Sequence, residues 1–198
     1  MRSSRWRMGA VAAVLALAAC DSGSRGTPAA EVGGKPAATT TARVVRVASL
    51  TPGQTIARPA GEVLFTVTGK ISVTNQGSDL VLDRSTVEKL GIVQAEMYEP
   101  WTKKRTTFRG VRLEDLVAVA GVPADATSLH IVALDDYAVD VPLSDVRAGG
   151  ILLATGTQDG LAIPIDEGGP ARIVFLDGVD AGANPDQWVW SIKEIAVR

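Results

Sequence analysis

From residue 63 onward the apolar and polar positions alternate in short runs, the pattern of half-buried strands rather than of helices. Val63, Phe65 and Val67 stand against Leu64, Thr66 and Thr68, which predicts a strand over 63–71. A turn at 75–78 leads to a short strand at 80–82. Ser85 and Glu88 have capping-box spacing, and Gly91 sits where a helix-ending glycine belongs, so 83–90 reads as a short helix. Strands follow at 92–98 and 102–108, on either side of Pro100-Trp101. The clearest helix is 111–120, where Leu113, Leu116, Val117 and Ala120 share a face and Gly121-Val122-Pro123 ends it. Further strands are predicted at 129–134, 137–141, 151–155, 161–165, 172–176 and 188–197, with a helical turn at 144–149. An isolated β-rich tetrapeptide lies at 44–47. Many strands with two or three short helices indicate an α+β or mixed α/β fold in a single domain.

The first forty residues follow a different pattern. Arg2, Arg5 and Arg7 precede an uncharged apolar run over 9–19. About 11 residues are too few to cross a bilayer, which needs roughly 20, but they suit the central region of a secretory signal. The run ends in Leu17-Ala18-Ala19-Cys20, which resembles the lipobox of bacterial lipoproteins. The resemblance implies a signal peptide over 1–19 and acylation at Cys20. Two or more acyl chains anchor stably, at about 0.8 kcal/mol per buried CH₂. Residues 20–43 are rich in Ala, Gly, Thr and Pro without apolar periodicity. They are expected to form a disordered tether with a reach of roughly 25 Å. The folded domain is then 44–198, held at the cell envelope outside the cytoplasm, on the periplasmic or the outer face. Asp21 resembles an inner-membrane retention signal of some Gram-negative bacteria; the choice of membrane stays open.

Charge and composition narrow the chemistry. Removing Arg2, Arg5 and Arg7 takes the formal charge from −2 to −5. Nucleic-acid binding needs a clustered cationic face, so no nucleic-acid partner is expected. Cys20 is the only cysteine, which leaves the mature domain without a disulfide, a thiol nucleophile or a cysteine metal site. His130 is the only histidine and lacks metal-ligating neighbours in sequence, so it reads as a structural, half-buried residue. Asp177, Asp180 and Asp186 lack the spacing of a calcium loop. Lys103-Lys104-Arg105 reads as a solvated strand end, with contact to anionic lipid as the alternative.

Four stretches resemble, in order, the oxidoreductase molybdopterin-binding domain family with its sulfite-oxidase-like fold. Phe108-Arg109-Gly110-Val111-Arg112-Leu113-Glu114-Asp115-Leu116, followed by Ala120-Gly121, is similar to the start of the family's helix. Val132 to Tyr137 is similar to its V-x-x-x-D-x-Y segment. Ile151-Leu152-Leu153-Ala154 with Asp159-Gly160, and then Gly168-Gly169-Pro170-Ala171-Arg172, match two later elements. The resemblance implies a molybdenum–pterin cofactor held by a cysteine, a histidine and a lysine-bearing phosphate loop. This chain departs at all three. Residues 93–98 contain no cysteine, Glu167 and Gly168 stand in the histidine's place, and 178–188 carries Asp180 and Asp186 with no lysine. The chain is therefore similar to a cysteine-less branch, for which molybdopterin is implied by family resemblance only and no cofactor is expected.

The candidate cleft gathers Tyr98, Trp101, Arg109, Asp135, Asp136, Tyr137, Arg172, Trp188 and Trp190. Trp188 and Trp190 fall on one face of a predicted strand, with Arg109 or Arg172 as a cationic contact. Against this stands plain core packing of the tryptophans and a hairpin turn at Asp135-Asp136. No catalytic and no metal residue is assigned. Three functions stay open, in this order: a binding or partner module, taking a small ligand or an envelope protein; a molybdopterin-dependent oxidoreductase with atypical ligation; and a structural accessory of an envelope complex.

Overall fold

A computed structural model describes residues 42–198. The expected signal peptide, Cys20 and nearly all of the tether lie outside the described residues. Ten strands form two sheets. The first sheet is antiparallel throughout, in the order β1 (Arg43–Arg46), β4 (Ile92–Glu99), β5 (Lys104–Arg112), β8 (Ile151–Thr157) and β9 (Arg172–Phe175). The second runs β3 (Leu80–Asp83), β2 (Val63–Gly69), β10 (Ile192–Val197), β6 (Ser128–Ala133) and β7 (Ala138–Pro142). Its one parallel pair is β2 with β10.

The chain passes between the sheets five times. The first crossing is the loop from β1 to β2, the next three use α1 (Arg84–Glu88), α2 (Leu113–Val119) and α3 (Leu143–Ala148), and the last is the irregular segment between β9 and β10. Each helix buries one stripe: Leu113, Leu116, Val117 and Val119 of α2 are buried, as are Leu143 and Val146 of α3. The strands contribute the alternating residues that their sequence promised, including Phe65 and Val67 of β2 and Leu129, Ile131 and Ala133 of β6. These join one hydrophobic cluster spanning both sheets. The fold is a mixed α+β domain with two sheets and few helices, the class that the sequence pattern predicts.

Several boundaries differ from the sequence reading. The 44–47 tetrapeptide is not isolated: β1 begins at Arg43 and pairs with β4. Helix α1 is capped by Asp83 and not by Ser85, because the Asp83 carboxylate accepts from the Thr86 N–H. Residues 161–165 form no strand; a single bridge joins Ala162 to Gly156, and Leu161 and Ile165 are exposed. Residues 188–191 are irregular, and β10 starts only at Ile192. Strand β5 continues through Arg112, so α2 begins two residues later than the pattern suggested. That continuation depends on Gly110, where an added Cβ would lie 2.7 Å from Ala154 Cα on β8. Only glycine allows the two backbones this close.

Candidate functional site

The site is built where the last crossing, between β9 and β10, meets the β6–β7 hairpin. In the hairpin turn Asp136 adopts a left-handed φ of 66°, which aspartate tolerates better than most residues. The Asp135 carboxylate accepts from the Tyr137 N–H at 3.1 Å, and the Ala133 N–H donates to the Tyr137 carbonyl at 2.8 Å. This is the Asp-stabilised hairpin turn, and Asp135 and Tyr137 line a cavity beside it.

The crossing segment supplies the opposite wall. Asn184 accepts from the Asp186 N–H at 3.1 Å and starts a short turn over 185–187. Trp188 then inserts against Phe175, ring centroids 5.5 Å apart and tilted by 51°, while its indole N–H donates to the Gly182 carbonyl at 3.0 Å. The Tyr137 hydroxyl donates to the Asp186 carbonyl at 3.0 Å and ties hairpin to crossing. Backbone bonds from Ile173 to Val189 and from Leu134 to Ser191 attach the segment to both sheets. Trp188 and Trp190 thus point to one cleft although no strand carries them.

Beneath Trp190 lies a buried ion pair. The Arg172 guanidinium sits 4.3 Å from the Trp190 ring and 5.1 Å from the Phe108 ring. It pairs with Glu99 at 3.0 Å; the side chains are 3 % and 1 % exposed. Burial pulls the Arg172 pKa down, and Glu99 and Glu167 oppose that pull. Arg172 Nη1 also donates to the Glu167 carbonyl at 3.0 Å. The second carboxylate oxygen of Glu99 accepts from the Thr102 N–H at 2.7 Å and so fixes the loop that carries Trp101. Gly168 packs against the Trp190 indole, where a Cβ would come within 2.8 Å of the ring. Its positive φ of 87° adds a second reason for glycine.

The resulting cleft has a volume of about 400 Å³ and is lined by Trp101, Ala133, Asp135, Tyr137, Asp186, Trp188 and Trp190. Five of the nine expected residues line it, and Arg172 lies beneath it. Three do not. Asp136 turns away to pair with Lys193. Tyr98 lines a neighbouring depression of about 270 Å³, and Trp188 is on the wall of both. Arg109 bonds Gln94 at 2.8 Å and lines a separate pocket of about 100 Å³ with Arg46, Arg84 and Glu88. The expected cationic contact is therefore absent from the lining: Arg109 is elsewhere, and the charge of Arg172 is met by Glu99. The lining carries two carboxylates and no cation.

Glu99 and Asp186 were not named as site residues from sequence. Glu99 had a signal. Val93, Ala95, Met97 and Glu99 occupy successive inward positions of β4, and all are buried. A carboxylate in such a register requires a buried cation. His130 is partly exposed and bonds Asp140 at 2.9 Å, the structural role expected of it.

The model of the family described as oxidoreductase molybdopterin binding domain matches residues 83–196. No curated protein matches the chain in sequence. Among solved structures the chain is similar to the sulfane dehydrogenase SoxCD from Paracoccus pantotrophus, at 16% identity and a TM-score of 0.52. The match covers 68% of this chain and 38% of that one, so this chain spans well under half of that relative's length.

Proposed function

The chain belongs to the oxidoreductase molybdopterin binding domain family, and from that premise we propose that it uses the family scaffold as a membrane-tethered binding module rather than for metal-dependent catalysis. The observation that carries this reading is the donor chemistry of β4 and of the last crossing. Over 93–98 the inward positions of β4 present Val93, Ala95 and Met97, all apolar and buried, where a molybdenum ligand would need a soft thiolate. Glu96 faces outward and is taken up by Arg105 at 3.4 Å. Among the described residues no three His, Cys, Asp or Glu side chains cluster as metal ligands. The segment over 178–188 bears Asp180 and Asp186 and no basic residue. Like charges about 4 Å apart repel by roughly 1 kcal/mol in water and about 4 near a protein surface. A pterin phosphate meets repulsion there instead of a cationic cradle. These residues do not fit a molybdenum–pterin group.

What the scaffold keeps is a shaped aromatic cleft held by a buried ion pair. Its volume falls within the roughly 300–1,000 Å³ of small-molecule sites. Export and acylation at Cys20, proposed from the lipobox resemblance, would hold this cleft at the cell envelope. The test is elemental analysis of protein purified from its host. The expected result is molybdenum far below one atom per chain. Stoichiometric molybdenum would sink the binding-module reading in favour of an oxidoreductase with unusual ligation.

A further inference from the structure

We infer that the aromatic cleft takes a small organic cation, a substituted ammonium group, and this rests on the binding-module reading above. Four aromatic side chains line the cleft, and the charged groups on its wall are the carboxylates of Asp135 and Asp186. Two cations beside the lining are already engaged: Arg172 with Glu99 beneath Trp190, and Lys193 with Asp136. The Asp186 carboxylate has no protein partner among the described residues, and Asp135 spends one oxygen on its own turn.

This combination selects between ligand classes. An anion would enter a wall of like charge. A hard divalent metal ion wants six or more oxygen ligands, and two carboxylates among indole rings do not provide them. A weakly hydrated ammonium with alkyl substituents satisfies both halves of the wall. Its charge meets the ring faces and the two carboxylates, and its methyl groups meet apolar surface. Trp101 and Tyr137, 53 % and 45 % exposed, are the rings with surface still open to a ligand. Trp190 already carries the Arg172 guanidinium and Trp188 is buried against Phe175, so the bound cation belongs against Trp101 and Tyr137.

Calorimetry on the full chain purified from its host tests this with two probes of the same shape. Choline carries the trimethylammonium group, and 3,3-dimethylbutan-1-ol replaces its nitrogen by carbon. Saturable choline binding, about tenfold tighter than the neutral probe, is the expected outcome. Trp101→Ala should weaken choline about tenfold. Asp135→Asn with Asp186→Asn should do the same and flatten the salt dependence. All three positions are at the surface of the cleft, and near-ultraviolet circular dichroism checks that the variants keep the fold. Equal affinity for both probes, choline binding indifferent to these substitutions, or binding of inorganic phosphate in place of choline would each overturn the cation. Molybdenum is measured on the same preparation. A metal-free preparation that ignores choline defeats the cation and leaves the binding module standing, whereas a stoichiometrically metallated one defeats both.

Discussion

Asp83 is a single residue on which two parts of the chain converge. One carboxylate oxygen accepts from the Ala60 and Gly61 N–H groups at 3.1 and 3.0 Å, and the other from Ser85 Oγ and the Thr86 N–H at 2.9 and 2.8 Å. It both caps α1 and pins the loop that precedes β2. Burial alone would raise its pKa, but the hydrogen bonds from Thr86, Gly61 and Ser85 outweigh burial and hold it well below the ordinary 3.8. A carboxyl with a depressed folded-state pKa stabilises fully above its unfolded value. That contribution is lost as pH falls from about 3.8 through the folded value. Asp83→Ala should therefore cost about 2 kcal/mol at neutral pH, from the lost cap and the unpaired loop donors. The gap between parent and variant should close as the pH drops below about 4. Urea unfolding at a series of pH values measures it, and a gap that stays constant down to about pH 2 would refute the assignment.

At the scale of elements, the Glu99–Arg172 pair binds the end of β4 to the start of β9 and, through the Thr102 N–H, positions the Trp101 loop. Arg172→Met leaves Glu99 buried without a counter-ion, which should cost about 3–5 kcal/mol. Adding Glu99→Gln should recover much of that, because the remaining polar group is neutral. Denaturant unfolding of the two singles and the double decides the point; additive losses would mean the two do not act as a pair. The strands and α2 were legible because their residues alternate or share a helical face, and local pattern determines both. The segment over 161–165 deceived for the same reason. Leu161, Ile163 and Ile165 have the spacing of a strand, but only Ile163 is buried, and the chain bends toward Gly168 instead. At the cleft, Trp188 and Trp190 were readable as a pair. The partition of Arg109 from Arg172 was not: it depends on the place of each strand in the first sheet, β5 at its centre and β9 at its edge. Arg109 on β5 meets Gln94 and the β8 side, while Arg172 on β9 meets Glu99. No local pattern encodes that order of strands.

For the molecule as a whole, the proposed tethering raises the physical question of what would hold an acidic domain at a membrane. Among the described residues no helix is long and apolar enough to cross one. The exposed Lys103, Lys104 and Arg105 offer little electrostatic attraction, since Arg105 is engaged by Asp177 at 2.8 Å and by Glu96. At about 1 kcal/mol per basic residue near an anionic surface, the two lysines supply roughly 2 kcal/mol, which does not hold a protein against dilution. The acyl chains proposed on Cys20 would supply far more, at about 0.8 kcal/mol for every CH₂ buried. The two sources respond differently to treatment. Electrostatic attachment is released by high salt, whereas lipid attachment survives salt and yields to detergent. The full chain expressed in a bacterial host should therefore sediment with membranes in about 1 M salt and partition into detergent. Cys20→Ala should move it to the soluble fraction with its fold intact, because β1 begins at Arg43, well beyond the cysteine. A Cys20→Ala protein that still sediments at high salt would show that something other than the lipid holds the domain, and the exposed Trp101 at the cleft mouth would become the next surface to test.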